Sequence, residues 1–155
     1  MIRKPLIEKV QKEWGDGIVK IGALRNDRAA CEKATDEFLD KLYAFDLVDV
    51  LFKPTLASVI QFRLTKEAAK SYFIGGNPNF PEDRGFAINP WTNIRFENIG
   101  FVFEVNIAMA MGNYFLTDLK GDKTKVEYTM GFIRDPYDEL KISLHHSSLP
   151  YKPKT

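Results

Sequence analysis

The second half of the chain alternates apolar and polar residues through three successive segments, a pattern typical of strands in a half-buried sheet. The segments cover roughly residues 94–118, 124–134 and 139–148, and turn-forming runs at Lys120–Lys123 and Pro136–Asp138 separate them. Because successive side chains of a strand point to opposite faces, each segment presents one apolar face. We expect an antiparallel meander whose first segment is bent or broken near its middle.

The first half of the chain carries helical patterns instead. The clearest helix begins after Asp27, which is a suitable N-cap. Its apolar side chains recur at every fourth position and are Ala30, Ala34, Phe38 and Leu42. We expect this helix to end near Phe45 and to be followed by a short strand over residues 48–52, which Pro54 would end.

A shorter helix is predicted at about Pro5–Glu13, where apolar residues share one stripe and Gly15 and Gly17 follow as stop signals. Helices first and a meander after them indicate an α+β fold, with the N-terminal helices packed on a curved antiparallel sheet. The chain of 155 residues has the usual size of one domain. We therefore expect residues 1–155 to form a single domain.

A third helix is predicted between Thr65, which can cap its start, and the glycine pair Gly75-Gly76, which can end it. Tyr72 then lies in the last turn of this helix. Residues 77–93 follow as a long irregular connection with the chemistry of turns. Connections of this length in a compact domain are often functional.

Charge and cysteine content exclude several classes of function. The chain carries 22 basic and 21 acidic residues spread along its length, so no basic tract is present to bind nucleic acid. Cys31 is the sole cysteine, which rules out an intrachain disulfide and leaves a thiolate zinc site without ligands. No HxH, HExxH or acidic cluster supplies other metal ligands. We therefore expect no metal, no cofactor and no nucleic-acid partner.

No segment has the length and hydropathy of a membrane span, and the start of the chain lacks the apolar core of a signal peptide. The sequence as given therefore predicts a cytoplasmic protein with no membrane partner. A leader or organelle-targeting segment removed from a precursor would leave no trace in it.

The last predicted strand is the most informative for function. If its side chains alternate strictly, one face of this strand holds Ser143, His145 and Ser147. The other face holds Leu140, Ile142, Leu144 and His146. The polar face meets either solvent or a pocket, and the residues alone leave both open. A pocket is favoured because the chain has only two histidines and an imidazole can exchange protons near neutral pH. Adjacent side chains diverge on a strand, so His146 points away from the pocket and the two imidazoles should not share a metal ion.

Nine short segments along the chain form a series that resembles one known family. They are Phe52-Lys53-Pro54-Thr55, Gln61-Phe62-Arg63, Ser71-Tyr72-Phe73-Ile74-Gly75-Gly76, Asp83-Arg84-Gly85-Phe86-Ala87, Pro90-Trp91-Thr92, Arg95-Phe96-Glu97-Asn98, Ala110-Met111-Gly112-Asn113-Tyr114-Phe115, Val126-Glu127-Tyr128-Thr129 and Leu144-His145-His146-Ser147-Ser148-Leu149-Pro150. In this order they resemble the iota-class carbonic anhydrases over roughly residues 10–151. The last segment, taken with the first and third, is the most specific.

This resemblance implies the cone-shaped nuclear transport factor 2-like fold, which is shared with SnoaL-like enzymes and with the association domain of calcium/calmodulin-dependent kinase II. It also implies a carbonic anhydrase that hydrates CO2 reversibly to bicarbonate. The family includes members described as metal-free and as metal-dependent, and the absence of ligand spacing in this sequence favours the metal-free form. Four side chains would surround the substrate, and they are Thr55, Tyr72, His145 and Ser147. The last three would be the catalytic groups, forming a hydrogen-bonded chain that takes the proton from water while Thr55 orients the oxygens.

Two other interpretations are open from the sequence. One is a non-enzymatic oligomerisation module of the kinase-association type, assembled through an outer sheet face that carries Leu140, Ile142 and Leu144. A homodimer through that face is expected under either hypothesis. The other is a SnoaL-like or ketosteroid-isomerase-like enzyme, which would need a carboxylate base in the cone. The candidates for that base are Glu97, Glu104 and Glu127.

Overall fold

A computed structural model describes residues 1–154, and Thr155, the last residue of the predicted single domain, lies outside this range. Three helices, numbered along the chain, cover Lys4–Ala23 (α1), Arg28–Leu42 (α2) and Lys66–Ile74 (α3). Five strands cover Leu51–Lys53 (β1), Trp91–Phe103 (β2), Ile107–Asp118 (β3), Lys123–Arg134 (β4) and Leu140–Ser148 (β5).

The strands form one sheet in the order β1-β5-β4-β3-β2. Neighbouring strands are antiparallel, except that β1 pairs parallel to β5 at one edge. Bulges in β2 and β5 bend the sheet, and α1 and α2 pack against it. The predicted α+β arrangement of helices on a curved antiparallel sheet is confirmed.

The helix ends that depend on local chemistry lie where the sequence predicts them. The side chain of Asp27 accepts a hydrogen bond from the backbone N–H of Ala30 at 3.1 Å, at the start of α2. At the start of α3, the side chain of Thr65 likewise accepts a hydrogen bond from the backbone N–H of Ala68, also at 3.1 Å. At the other end of α3, Gly75 adopts a φ of 64°, a left-handed conformation that glycine adopts without steric cost.

Two predicted boundaries are wrong because tertiary contacts override the local pattern. The helix α2 ends at Leu42, before Phe45, since Tyr43 leaves the helix to pair with Ile142 of β5. The strand that follows begins only at Leu51, later than predicted, because the register with β5 pairs residues 51–53 and not residues 48–50.

The first helix is also longer than predicted and ends at Ala23. Gly15 and Gly17 lie inside it and serve packing instead of ending it. A Cβ on Gly15 would lie 3.2 Å from Cβ of Ile94, and one on Gly17 would lie 2.5 Å from the ring of Phe38. Although α1 has 20 residues, no helix within residues 1–154 is long and apolar enough to cross a membrane.

The first predicted β segment, residues 94–118, is a hairpin of β2 and β3, so the expected break near its middle is confirmed. The inward face of β3 carries small side chains such as Ala108 and Ala110, which are buried. Met109 and Met111 point the other way and are 42% and 54% exposed. The helices therefore cover one face of the hairpin and leave the other open.

The last strand does not alternate strictly. Gly131 of β4 pairs with Leu144, but the next residue, Phe132, pairs with Ile142, so Ser143 is an extra residue in a β-bulge. Because strand side chains alternate with a period of two, one extra residue reverses the alternation for the rest of the strand.

The bulge therefore corrects the predicted faces of β5. Leu140 and Ile142, before the bulge, are buried in the core, and so are His145 and Ser147 after it. The prediction that Leu140 and Ile142 lie on the outer face of the sheet is therefore wrong. Of the three apolar residues predicted on that face, only Leu144 lies there. The inward placement of His145 and Ser147 agrees with the sequence-based expectation.

Candidate active site

The parallel pairing of β1 with β5 builds the centre of the site. It sets Phe52 directly beside His145. Two residues after β1 ends at Lys53, Oγ1 of Thr55 lies 2.8 Å from Oγ of Ser147. Two predicted site residues that are 92 positions apart in sequence are therefore in direct contact.

Tyr72 lies in the last turn of α3, as predicted, and is 5% exposed. Its hydroxyl accepts a hydrogen bond from the backbone N–H of Leu56 at 3.2 Å and lies near the hydroxyl of Thr55. Phe86, from the loop before β2, stacks on the phenol ring at 5.6 Å. Burial raises the pKa of Tyr72 above its usual value, so the phenol stays protonated.

The imidazole of His145 is enclosed by aromatic side chains and is 1% exposed. The ring of Phe52 stacks on it at 5.0 Å, and Trp14 meets it edge-on at 5.6 Å. Its Nδ1 lies 2.8 Å from the hydroxyl of Tyr43, and its Nε2 lies 3.4 Å from the hydroxyl of Tyr114. Burial lowers the pKa of this imidazole to about 3. The ring is therefore neutral at neutral pH, contrary to the expectation that it exchanges protons there.

Tyr43 and Tyr114 belong to the site but are not among the predicted site residues. Burial raises the pKa of Tyr114 to about 12, although the nearby hydroxyls of Ser147 and Thr55 lower it in part. Tyr114 has the same inward parity in β3 as Ala110, and that alternation is a signal that could have found it. Tyr43 carries no such signal, because only a tertiary bridge to β5 brings it to the imidazole.

Lys53 brings a positive charge close to the site. Its Nζ donates a hydrogen bond to the backbone carbonyl of Ser147 at 3.1 Å, and partial burial lowers the pKa of the amine. In the register of β1 and β5, Lys53 lies beside His146, on the sheet face opposite Phe52. The positive charge of Lys53 therefore lies on the outer side of β5 and does not enter the pocket.

A cleft of about 430 Å³ opens beside Tyr72. Its lining is largely apolar and includes Leu56, Phe86, Ile88 and Trp91. Three charged residues, Glu82, Asp83 and Arg84, line the rest of it together with Gly85 and Asn89. Of the four predicted site residues, Tyr72 is the one that lines this cleft.

The loop that carries Thr55 is anchored by an acidic residue of the connection before β2. The carboxylate of Glu82 accepts hydrogen bonds from the backbone N–H groups of Ser58, Val59 and Ile60, at 2.8, 3.1 and 2.7 Å. These bonds hold the pKa of Glu82 at about 2, below its usual value. The anchor fixes the position of a loop that is otherwise exposed.

A buried ion pair closes the far end of the same loop. Arg63 is fully buried and donates two hydrogen bonds to the carboxylate of Asp83, at 2.8 and 2.7 Å. Its guanidinium also stacks on the ring of Phe80 at 4.6 Å, and Ser71 of α3 donates to the same carboxylate. Two-pronged pairs of this kind are geometrically specific, so the loop is held in register with α3.

The three carboxylates considered as a base lie outside the pocket. Glu97, Glu104 and Glu127 are all exposed, and two of them line a cleft on the outer face of the sheet. The ketosteroid-isomerase-like interpretation therefore loses the groups on which it depended. Within residues 1–154, no cluster of three or more His, Cys, Asp or Glu residues is arranged to hold a metal ion.

Comparison with known families agrees with this arrangement. The sequence model of the metal-independent carbonic anhydrase family matches residues 6–149. The chain belongs to the metal-independent carbonic anhydrases. A metal-independent carbonic anhydrase from Nostoc sp. strain PCC 7120 is 39% identical over 145 residues, which are 92% of this chain and 71% of the relative. The predicted family and enzyme class are confirmed.

Solved structures extend the comparison to the fold of this carbonic anhydrase. A cyanobacterial iota-carbonic anhydrase complexed with bicarbonate has a TM-score of 0.94 and 36% identity, and the match covers 98% of this chain and 94% of that one. A putative calcium/calmodulin-dependent kinase II association domain from Xanthomonas campestris has a TM-score of 0.61 and 18% identity, over 95% and 87%. The second likeness shows the fold alone. The predicted nuclear transport factor 2-like fold is confirmed.

Replacing Glu82 by Gln should loosen the loop that carries Thr55. The amide side chain keeps the shape but loses the negative charge that three backbone N–H groups bind, and charge-assisted hydrogen bonds are the stronger ones. Hydrogen exchange measured by mass spectrometry should therefore become faster for residues 58–60. The exposed residue Glu37, changed to Gln, is the matched control and should leave that exchange unchanged.

The same contact predicts a specific dependence of stability on pH. The pKa of Glu82 is about 2 in the folded chain and about 4.3 when unfolded, so its contribution is present above about pH 4.3. That contribution is lost as the pH falls towards 2. Urea unfolding at pH 7 and pH 3 should therefore show a smaller loss of stability in Glu82→Gln than in the wild type. An equal loss in both proteins would contradict the anchor.

Proposed function

We propose that this chain catalyses the reversible hydration of CO2 to bicarbonate, without a metal ion, in the pocket of the four predicted site residues. These are Thr55, Tyr72, His145 and Ser147. Family membership supports the reaction, and the relative with bound bicarbonate supports the substrate. The observation that carries most weight is that the four side chains come from three separate segments and are joined by hydroxyl contacts: Thr55 lies beside Ser147 and near Tyr72, and Tyr114 connects this group to His145. A module that only assembles oligomers does not need this convergence.

The walls of the pocket suit an apolar substrate. Phe52 and Trp14 enclose the imidazole, and Phe86 stacks on Tyr72 beside the cleft that both residues line. Apolar walls with a few fixed polar groups are the usual make-up of small-molecule sites. CO2 carries no net charge, so it can enter such a site without losing a strongly held hydration shell.

The hydroxyl pair would stabilise the negative charge that develops on the oxygens of CO2 as water attacks. With Thr55 Oγ1 and Ser147 Oγ 2.8 Å apart, one hydroxyl donates to the other, and the second proton is free for the substrate. Donors held in place in a site with little water stabilise developing charge more strongly than water does. The same donors would hold bicarbonate in the reverse direction.

The attacking water must lose a proton as the C–O bond forms. Bulk water has a pKa of about 15.7, and a metal-free site lacks the ion that lowers this pKa to about 7 in zinc enzymes. His145, whose pKa is about 3, is a poor acceptor. We therefore place the relay along Ser147, Thr55 and Tyr72, where each hydroxyl accepts one proton and releases its own towards the cleft. Thr55 becomes a link in the relay as well as a group that orients oxygens.

Removing either end of this relay should nearly abolish activity. Tyr72→Phe and Ser147→Ala should each lower kcat for CO2 hydration by about 100-fold, as expected for the loss of one positioned donor or proton-transfer group. Stopped-flow measurement with a pH indicator tests this directly. Tyr137→Phe is the control, since that tyrosine is 86% exposed and should keep the wild-type rate. Wild-type rates in both site variants would refute the proposed pocket.

The outer face of the sheet is the proposed dimer interface. Ile99 is 83% exposed there, and Met109 and Met111 lie on the same open face, next to a cleft of about 670 Å³ that Leu144 helps to line. Exposed apolar side chains grouped on one face are typical of a surface that binds a partner. A second copy of the chain would use the same face in an isologous pair.

A charge placed on this face should separate the two copies. The double variant Ile99→Lys and Met111→Lys should sediment as a monomer at concentrations where the wild type sediments as a dimer. Leu119→Lys is the control, because Leu119 is 64% exposed and lies in the turn after β3. Identical sedimentation of the wild type and the double variant would contradict the interface.

A further inference from the structure

Three buried residues form a hydrogen-bonded line that ends at the imidazole of His145. Trp14, Tyr43 and His145 are each 1% exposed. The indole Nε1 of Trp14 donates to the hydroxyl of Tyr43 at 3.0 Å, and that hydroxyl lies 2.8 Å from Nδ1 of His145. The line connects α1 and the end of α2 with β5. Residues from two helices therefore fix the position of the His145 imidazole.

The chemistry of the groups fixes the direction of this line. An indole N–H can only donate, so the oxygen of Tyr43 must accept from Trp14. Burial raises the pKa of Tyr43 well above its usual value, so its hydroxyl keeps its proton. Within residues 1–154, Nδ1 of His145 is the other hydrogen-bond partner of that hydroxyl, and it is the acceptor available for the proton.

The opposite arrangement leaves a buried proton without a partner. If Nδ1 carried the imidazole proton and donated to Tyr43, the hydroxyl oxygen would accept twice and its own proton would face no acceptor. A buried donor left unpaired keeps its full desolvation cost, so this arrangement is disfavoured. A neutral imidazole carries one proton, so with Nδ1 accepting, that proton lies on Nε2.

We propose that Trp14 and Tyr43 are positioning residues that hold His145 in its Nε2–H tautomer, so that the imidazole donates a hydrogen bond into the pocket and does not act as its base. The catalytic meaning of this tautomer rests on the proposed function, whereas the tautomer itself does not. The groups around the ring are Trp14, Tyr43, Phe52 and Tyr114, and none of them is charged.

The same direction of hydrogen-bond donation extends from His145 into the pocket. Nε2 lies 3.4 Å from the hydroxyl of Tyr114, which is itself near those of Ser147 and Thr55. An Nε2–H that points there turns the proton of Tyr114 towards these hydroxyls or towards the substrate. The pocket thus presents donors to the oxygens of an anion. A proton from water cannot leave towards Trp14, because the indole nitrogen accepts none, and this agrees with a relay on the side of Tyr72.

Nuclear magnetic resonance of ¹⁵N-labelled histidine tests the tautomer directly. His146→Gln is used as the background, because the chain has two histidines and His146 is exposed outside the pocket. At pH 7 the spectrum should show a proton bonded to Nε2 of His145 and none on Nδ1. A proton on Nδ1, or averaging between the two nitrogens, would overturn the proposal.

Tyr43→Phe tests the cause of the tautomer. Without the hydroxyl, Nδ1 loses its donor, so the spectrum should shift to a mixture of tautomers. The value of kcat/KM should fall by about 10- to 100-fold, the size of effect seen when a group that orients a metal-bound histidine is removed. Tyr137→Phe is the control and should change neither readout. A Tyr43→Phe protein that keeps the Nε2–H tautomer would show that Tyr43 only packs, and would overturn its assigned role.

The two proposals fail in different ways. An active wild-type enzyme with its proton on Nδ1 overturns the tautomer and leaves the function standing. A wild-type protein with the Nε2–H tautomer but no CO2 hydration overturns the function alone. Should Tyr43→Phe fail to fold, the wild-type spectrum still decides the tautomer.

Discussion

The β-bulge at Ser143 is the constraint on which the site depends. Without the extra residue, a strand that buries Ile142 would turn His145 to the opposite face of the sheet. With it, one strand contributes to the apolar core at its start and polar groups to the pocket at its end. Gly131, on the neighbouring strand, permits this register, because a Cβ there would lie 2.9 Å from Cβ of Leu144.

Burying polar groups in this way is tolerated only if they find partners. Within residues 1–154 every buried side-chain nitrogen and oxygen has a hydrogen-bond partner. In the site, the partners of the imidazole and hydroxyls are largely other neutral groups, held by the aromatic packing around Phe52 and Trp14. Such a network is rigid before substrate arrives, which is the condition for fixed donors to replace a metal ion in stabilising charge.

Local chemistry is what the sequence predicted well, and tertiary packing is what it missed. Thr65 caps α3 as expected, because a cap needs only the next few residues. Gly15 was misjudged as a stop signal, since its role is to let β2 approach α1. Strict alternation could not foresee Ser143 as a bulge, because the register depends on the neighbouring strand. The family resemblance supplied Thr55 as a site residue, whereas no pattern in the chain points to Tyr43.

The central claim is that neutral donors, and no metal, support CO2 hydration in this pocket. The most direct test measures the stopped-flow hydration rate of protein dialysed against a strong chelator, with the metal content of the same sample determined by elemental analysis. The account predicts the full rate with far less than one metal ion per chain, and no increase when zinc is added back. Activity that disappears with the metal and returns with a divalent ion would contradict it.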